Sequence, residues 1–267
     1  MPNKKSKKNK KSISTKSTKP TQQEEMAIII NGEDDNNLQP TPLTAFNVPE
    51  KIILVIDRAC DEVFSYFELN NGTKYRPLQM LKNAFTIFVH NKNFINKKHE
   101  FALMVLNESD VSWVLDFTSD IQKVSEAIDN LEECETEDIF DLNSLFNVID
   151  EKVQYPTLLS DDLVIPPQFI VRVVLSYARS FTMPSFTRTE RVNEMLNWPY
   201  FFIDVVMTHE IPDTSNKCEL IFKKLEGLNI DGKGYLYYVD RNPSKLYYSM
   251  GKICGHPYQR SLQKTNL

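Results

Sequence analysis

Short, continuously apolar runs recur between residues 48 and 254 and are separated by stretches whose apolar positions follow helical spacing. The runs have the length of strands. Because they are apolar throughout instead of alternating, they are typical of parallel strands that are buried on both faces. The predicted strands are Ile52–Ile56, Phe101–Leu106, Val111–Leu115, Phe169–Leu175, Tyr200–Met207 and Tyr235–Val239.

The stretches between these runs predict amphipathic helices. In residues 75–90, Leu78, Leu81, Phe85 and Phe88 recur at steps of three and four, which places them on one side of a helix. Pro77 stands near the start, where its missing N–H costs least. The further predicted helices are Asp120–Glu132, Asp141–Val153, Thr189–Leu196, Asn216–Leu225 and Pro243–Cys254.

The order of these elements predicts an α/β fold with helices on both faces of a mainly parallel sheet. The polar turn Asn107–Asp110 joins the second and third strands directly. A connection this short favours a hairpin, so the third strand is predicted to be an antiparallel edge strand.

The ends of the chain differ from this core. Residues 1–46 are polar and have no sustained period, and we predict a disordered tail there, a folded domain over residues 47–254 and a polar tail over residues 255–267. The first twenty residues hold eight lysines and no acid. This tract is either a solvated tail or an arm for nuclear import or nucleic-acid contact.

The charge and hydropathy exclude several classes of partner. Subtracting those eight lysines from the net charge of −5 leaves −13 for residues 21–267. An acidic body grips phosphate poorly, so no direct nucleic-acid partner is expected for the folded domain. No apolar run is long enough to span a bilayer, and no apolar stretch of a signal peptide follows the lysines, so we expect a soluble protein without a membrane partner.

Motifs for catalysis and cofactors are missing from the sequence. The four cysteines and four histidines never occur at zinc-ligand spacing, which favours reduced intracellular thiols without a metal role. No Gly-x-Ser-x-Gly motif occurs, and the one Gly-x-Gly, at residues 232–234, precedes a predicted strand instead of opening a helix. We therefore expect no enzyme activity and no cofactor.

The end of the first strand resembles the metal site of a von Willebrand factor A (vWA) domain, a Rossmann-type α/β fold. Such a site begins with an aspartate at the position of Asp57, followed by serines two and four residues later. Here Ala59 and Asp61 stand at the serine positions, and Tyr177 lies about where a further aspartate belongs. The middle loop offers Thr136 without the Gly-Gly-Thr of the family. The resemblance implies a vWA-like fold with a degenerate metal site and Asp57 as a loop-capping acid; the alternative is a metal-dependent ligand receptor that uses Asp57 and Asp61.

Two charges, Arg172 and Asp204, fall inside otherwise apolar predicted strands. An unpaired buried charge is costly, so we predict that these residues form an ion pair between neighbouring strands and not a buried polar site.

A second resemblance extends in consistent order from about Val48 to Arg260. It is carried by the segments His99–Asn107, Ile165–Pro167, Pro199–Val206 and His256–Arg260. These resemble the vWA-like adaptor subunit of the BRISC and BRCA-A deubiquitylase complexes, the BRISC and BRCA-A complex member one family.

The resemblance implies a function as well as a fold. It implies a non-catalytic scaffold in the cytoplasm and nucleus that binds a ubiquitin-conjugating-variant (UEV) arm subunit. Indirect partners are the metalloprotease deubiquitylase and its pseudo-enzyme scaffold, which together remove signalling-type ubiquitin chains. Vertebrate members act in DNA-damage repair, mitosis and cytokine-receptor turnover.

The carboxyl-terminal segment of this chain, residues 255–267, resembles a peptide that docks on a UEV domain. The predicted partner-binding residues are His256, Pro257, Tyr258 and Arg260. Proline pre-extends such a segment, and arginine offers a planar fork to carboxylates or carbonyls.

Overall fold

The computed structural model describes residues 47–155 and 167–263. Its strands, in chain order, are β1 (Glu50–Asp57), β2 (Phe67–Glu68), β3 (Lys74–Tyr75), β4 (Glu100–Leu106), β5 (Val111–Thr118), β6 (Ile139–Asp141), β7 (Ile170–Tyr177), β8 (Met183–Ser185), β9 (Phe201–Thr208) and β10 (Leu236–Val239). Its α-helices are α1 (Pro77–Ile95), α2 (Ile121–Asp129), α3 (Asn143–Lys152), α4 (Glu190–Asn197), α5 (Cys218–Leu225) and α6 (Pro243–Ile253).

Six strands form one sheet in the order β10-β9-β7-β1-β4-β5. Strand β1 lies in the interior and pairs in parallel with β4 on one side and β7 on the other. Strand β5 returns antiparallel to β4, which confirms the predicted hairpin with its antiparallel edge strand. The parallel strands end together at one side of the sheet, here called the carboxyl edge, and begin together at the amino edge.

Each face of the sheet is covered by three helices, as the apolar runs predict. Ile52, Leu54 and Ile56 of β1 face the layer of α1, α2 and α6, whereas Ile53 and Val55 face the layer of α3, α4 and α5. All five side chains are fully buried. The alternation along a strand therefore distributes one apolar run between two cores.

The predicted helices all occur, with shifted ends. Helix α1 extends to Ile95, five residues beyond the predicted end at His90. The Asp120 carboxylate caps α2 by accepting hydrogen bonds from the backbone N–H groups of Gln122 and Lys123. The Thr189 hydroxyl caps α4 in the same way, through Val192.

Two small sheets were not predicted. Strands β2 and β3 form an antiparallel pair, and β6 and β8 form a parallel pair. Each of these strands has two or three residues, too few for a hydrophobic period to appear in the sequence. A single 3-10 turn at Glu226–Leu228 was missed for the same reason.

Several predictions lie outside the described residues. They are the disordered tail at residues 1–46, the end of the carboxyl-terminal segment at residues 264–267, and the dipeptide Ile165–Pro166 of the family resemblance. Within residues 47–155 and 167–263, no helix has the length and apolar character needed to cross a membrane.

Candidate functional site

Asp57 ends β1 at the carboxyl edge and is completely buried. Its carboxylate accepts hydrogen bonds from the backbone N–H groups of Ala59 at 3.1 Å and Ala178 at 2.9 Å. It also faces the guanidinium of Arg179, which donates from Nε at 3.1 and 3.2 Å and from Nη2 at 3.1 Å. Both carboxylate oxygens are therefore used within the chain.

Arg179 follows β7 by two residues and its guanidinium is fully buried in this edge. Beyond Asp57 it donates to the backbone carbonyls of Glu108, at 2.8 Å, and Asn107, and it stacks 4.3 Å above the ring of Phe140. Burial disfavours the charged guanidinium, but the Asp57 carboxylate outweighs this and raises the pKa of Arg179. A permanent cation of the chain thus occupies the position against Asp57.

This arrangement does not fit a divalent metal ion. An ion at Asp57 needs several free oxygen ligands, and Arg179 lies against both carboxylate oxygens. Ala59 offers only backbone, and the Tyr177 hydroxyl donates away from Asp57 to the carbonyl of Thr182 at 2.8 Å. Among residues 47–155 and 167–263, no group of three or more His, Cys, Asp or Glu side chains is arranged for metal binding.

Asp61 lies in the same edge but is less well satisfied. Its Oδ2 accepts from the backbone N–H of Ser180 at 2.8 Å, whereas its buried Oδ1 has no hydrogen-bond partner among the described residues. Burial, together with the nearby charge of Asp57, raises the pKa of Asp61 to about 6. Asp61 thus adds a buried carboxylate with one oxygen unpaired among the described residues, and one such oxygen is too few to hold a metal ion.

A second buried network lies at the amino edge. Arg172 of β7 pairs with Asp204 of β9 at 2.7 Å, which confirms the predicted ion pair. Arg172 has a second partner that was not predicted, Glu50 of β1, at 2.9 Å. Lys92 of α1 also pairs with Glu50. Burial alone would raise the pKa of Glu50, but the charges of Arg172 and Lys92 lower it to about 2.

The same network holds the carboxyl-terminal segment. Arg260 Nη2 donates to Asp204 Oδ1 at 2.6 Å and to the Lys233 carbonyl at 3.0 Å, and its guanidinium lies 3.9 Å above the Tyr235 ring. Arg172 donates to the carbonyls of Ile253 and Gly255 at the end of α6. The start of the segment is therefore bonded to Arg172, and Arg260 bonds it to Asp204 further along.

The four predicted docking residues are brought together but differ in exposure. His256 is 5% exposed, and its Nε2 lies 3.1 Å from the Val48 carbonyl. Tyr258 is half-buried, donates to the Pro199 carbonyl at 3.2 Å and meets the Phe202 ring edge-on. Pro257 is also half-buried. His256 and Arg260 thus anchor the segment, while Pro257 and Tyr258 keep surface toward solvent; their role in docking stays a prediction.

The segment continues beyond Arg260 along the outer edge of β10. The Gln263 side-chain amide accepts from the Leu236 N–H and donates to the Leu236 carbonyl, both at 2.8 Å. This repeats the two-bond pattern of a neighbouring strand. Sequence reasoning missed four residues of these two networks and of the segment: Glu50, Lys92, Arg179 and Gln263. Arg179, a charge two residues after the buried strand β7, is the one that left a signal in the sequence.

Comparison with known proteins gives close relatives. The chain is 33% identical over 240 residues to the BRISC and BRCA1-A complex member 1 of Xenopus tropicalis, a match that covers 85% of this chain and 74% of the relative. It is 34% identical over 224 residues to the protein of the same name from Homo sapiens, covering 81% and 67%. No protein-family model matches the chain.

Among solved structures, the D319A mutant of the PilB minor pilin from Streptococcus sanguinis is similar with a TM-score of 0.50 and 10% identity, covering 80% of this chain and 62% of that one. The SpRpn10 VWA domain aligns with a TM-score of 0.48 and 13% identity, covering 81% and 100%. At 10% identity, the similarity to the PilB variant bears on the fold alone. The strand order and the three-layer packing described above are those of a vWA-like α/β fold with one antiparallel edge strand.

Proposed function

The chain belongs to the family of BRISC and BRCA1-A complex member 1, and on that premise we propose that it is a non-catalytic scaffold in a deubiquitylase complex of this type. In this role it binds the UEV-type arm subunit, stabilises the assembly that removes signalling-type ubiquitin chains, and meets the metalloprotease and its pseudo-enzyme scaffold only indirectly. We propose a cytoplasmic and nuclear location with it.

The observation that carries the scaffold role is the closed carboxyl edge. In open α/β sheets, ligands bind outside the carboxyl ends of the strands. Here Arg179 lies in that edge and bonds both oxygens of Asp57, so the one carboxylate oxygen left over there among the described residues is Oδ1 of Asp61, which is too few ligands for a metal ion. The layers of the fold are retained, but its usual ligand-binding edge is occupied by the chain itself. Other proteins are therefore bound on the outer surfaces of the domain.

The proposed docking surface is the carboxyl-terminal segment as it lies on the body. His256 and Arg260 fix the backbone of the segment, and a segment already ordered loses less conformational entropy when a partner binds. Pro257 and Tyr258 supply apolar and aromatic surface between these anchors. Aromatic side chains in such positions carry a large share of binding energy in known interfaces.

The test is co-purification with a tagged UEV-type subunit from cells that express both proteins. Deleting residues 255–267 would also remove Arg260 from Asp204, so loss of binding could reflect loss of folding. Tyr258→Ala is the sharper variant, with an expected drop in affinity of about tenfold or more.

Tyr248→Ala is the matched control, since Tyr248 is 63% exposed on α6 and lies outside the segment. It is expected to bind as the wild type does. Unchanged binding by a folded Tyr258→Ala protein would refute the docking role of the segment, and failure of the wild type to co-purify would refute the adaptor role itself.

The second candidate function, a metal-dependent ligand receptor, has no observation in its favour. It requires Asp57 and Asp61 to share an ion, yet Asp57 is bonded to Arg179 and Asp61 to the Ser180 backbone. Calorimetric titration with magnesium or manganese distinguishes the two functions. Stoichiometric binding that Asp57→Ala abolishes would favour the receptor.

A further inference from the structure

The outer side of α1 exposes apolar side chains near its carboxyl-terminal end. Phe94 is 84% exposed, Ile95 is 53% exposed and Ile87 is 48% exposed. Ile87 and Phe94 are seven residues apart, so they lie on the same side of the helix, and Ile95 is next to them. These three side chains, called the α1 outer face below, span about 12 Å along the helix at 1.5 Å per residue.

The charge around this face is unusual for the molecule. Residues 69–99 contain no Asp or Glu and hold six Lys and Arg, within a folded body that is otherwise acidic. Lys97 and Lys98 follow α1 directly and are exposed. Neither forms an ion pair within the described ranges, so an apolar surface stands beside two available cations.

A complementary sequence occurs in the chain upstream of β1. Residues 24–35 read EEMAIIINGEDD: an apolar run, Met26–Ile30, with two acids before it and three after it. No Lys or Arg occurs from residue 20 to residue 50. The segment lies outside the described residues.

The chain enters the fold beside the end of α1. The backbone N–H of Glu50 donates to Nδ1 of His99 at 2.9 Å, and Lys92 of α1 pairs with the Glu50 carboxylate. From Asn47 back to Asp35 there are twelve residues, which reach about 40 Å when extended and about 19 Å as a random coil. The α1 outer face is within that reach.

We propose that residues 24–35 pack on the α1 outer face of the same chain. Met26–Ile30 covers Ile87, Phe94 and Ile95, and the flanking acids lie beside Lys97 and Lys98. A run of five residues in extended conformation covers four steps of about 3.3 Å, or about 13 Å, which matches the length of the α1 outer face. A second copy that docked through this face would bring the same lysines against each other, whereas the tethered segment brings acids at a high effective concentration.

The first experiment is photo-crosslinking in the full chain with Phe94→benzoylphenylalanine, followed by peptide mass spectrometry. Phe94 is largely exposed, so the replacement leaves the core untouched. The expected cross-linked peptide contains residues 24–35. The matched control is Leu220→benzoylphenylalanine on α5, which is 61% exposed on the opposite layer and is expected to give no such peptide.

A second measurement tests the charge component. Reversing both lysines, Lys97→Glu with Lys98→Glu, is expected to lower the cross-link yield about fivefold or more. Lys223→Glu with Lys224→Glu on α5 is the control and is expected to leave the yield unchanged.

Two results would overturn the proposal. One is that Phe94→benzoylphenylalanine cross-links only to peptides without residues 24–35, or gives no cross-link at all. The other comes from mixing nitrogen-15 and natural-abundance chains: mixed-isotope cross-links assign the face to a second copy. The readout does not involve the UEV-type partner, so its failure leaves the proposed adaptor role standing.

Discussion

At both edges of the sheet a strand carries a buried carboxylate, and the two edges differ in which groups compensate its negative charge. At the carboxyl edge, Asp57 is matched by Arg179, which comes from the loop directly after the neighbouring strand. At the amino edge, Glu50 and Asp204 are matched by Lys92, Arg172 and Arg260, which come from a helix, a strand and the carboxyl-terminal segment. The first network closes an edge, and the second joins distant parts of the chain.

The charge balance differs as well. The amino-edge network has three cations for two carboxylates, and the carbonyls at the end of α6 accept the excess donors of Arg172. The carboxyl edge has the opposite excess, because Asp61 is a second carboxylate, and one of its oxygens has no partner in residues 47–155 and 167–263. We therefore expect the amino edge to carry more stability and the carboxyl edge to lose stability as the pH rises toward neutrality. The amino edge responds in the opposite direction, because burial lowers the pKa of His99 to about 4 and also lowers the pKa of His256, so its stability falls as the pH falls below 6.5.

The largest effect is expected from Arg172→Met. It leaves Glu50 and Asp204 buried with fewer partners, and breaking a buried ion pair from one side costs about 3–5 kcal/mol in the free energy of unfolding. Urea unfolding followed by circular dichroism measures the loss. Arg191→Met is the control, since Arg191 pairs with Asp150 on the surface, where solvent screens the pair, and it is expected to leave the stability almost unchanged.

If Arg172→Met does not accumulate as folded protein, Asp204→Asn removes one carboxylate of the same network while keeping its shape. Where Arg172→Met does fold, a double-mutant cycle on Arg172 and Asp204 isolates their coupling. A coupling free energy near zero would contradict the claim that the ion pair between Arg172 and Asp204 stabilises the amino edge.

Arg179→Met is expected to cost less, about 2–4 kcal/mol, because Asp57 keeps its two backbone N–H donors. The same urea titration measures it. Arg188→Met, which removes only an exposed hydrogen bond to the Gly227 carbonyl, serves as the control. If the free energy of unfolding fell as much as in Arg172→Met, the two edges would contribute equally to stability, contrary to the expectation.

The comparison also explains what the sequence can and cannot predict. Continuous apolar runs predicted the main strands and their two buried faces because burial leaves a local trace in the residues themselves. The pairing of Arg172 with Asp204 followed from the cost of an unpaired charge within such runs. Glu50 could not be assigned in the same way, because its place beside Arg172 depends on how β1 and β7 align.

The candidate site was harder to predict than the fold for a physical reason. Loss of the metal ligands is visible in Ala59 and Asp61, but the group that replaces the ion is not part of the motif. Arg179 comes from a loop 122 residues away from Asp57 in the chain. Its role depends on side-chain direction, which no hydrophobic period records.

Asp61→Asn is expected to reveal the pH response of the carboxyl edge. The folded-state pKa of Asp61 is raised from 3.8 to about 6, so its contribution favours the folded state below pH 4 and is lost as the pH rises through 6. At 1.36 kcal/mol per pKa unit, the loss reaches about 2–3 kcal/mol by pH 7.5. Asn stays neutral and can still accept from Ser180, so the variant is expected to gain on the wild type as the pH rises.

Urea titrations at pH 5.0, 6.0 and 7.5 measure the difference between Asp61→Asn and wild type. Glu50 does not interfere in this window, because its lowered pKa makes its contribution fall only below about pH 4.5. A difference that stays constant with pH would mean that Asp61 is charged throughout and that the edge is more hydrated than its burial indicates.

The smallest effect is expected from Gln263→Ala, at the far end of the segment that the amino-edge network holds. It removes two hydrogen bonds to Leu236 in a partly exposed position, which is expected to cost about 1 kcal/mol. Amide hydrogen exchange at Leu236 should speed up, because its N–H loses its acceptor, while Gln122→Ala on α2 should leave that rate unchanged. If exchange at Leu236 were already fast in the wild type, the contact of Gln263 with β10 would not persist, and the ordered part of the segment would end at Arg260 and Ser261, which contact Asp204 and Tyr235.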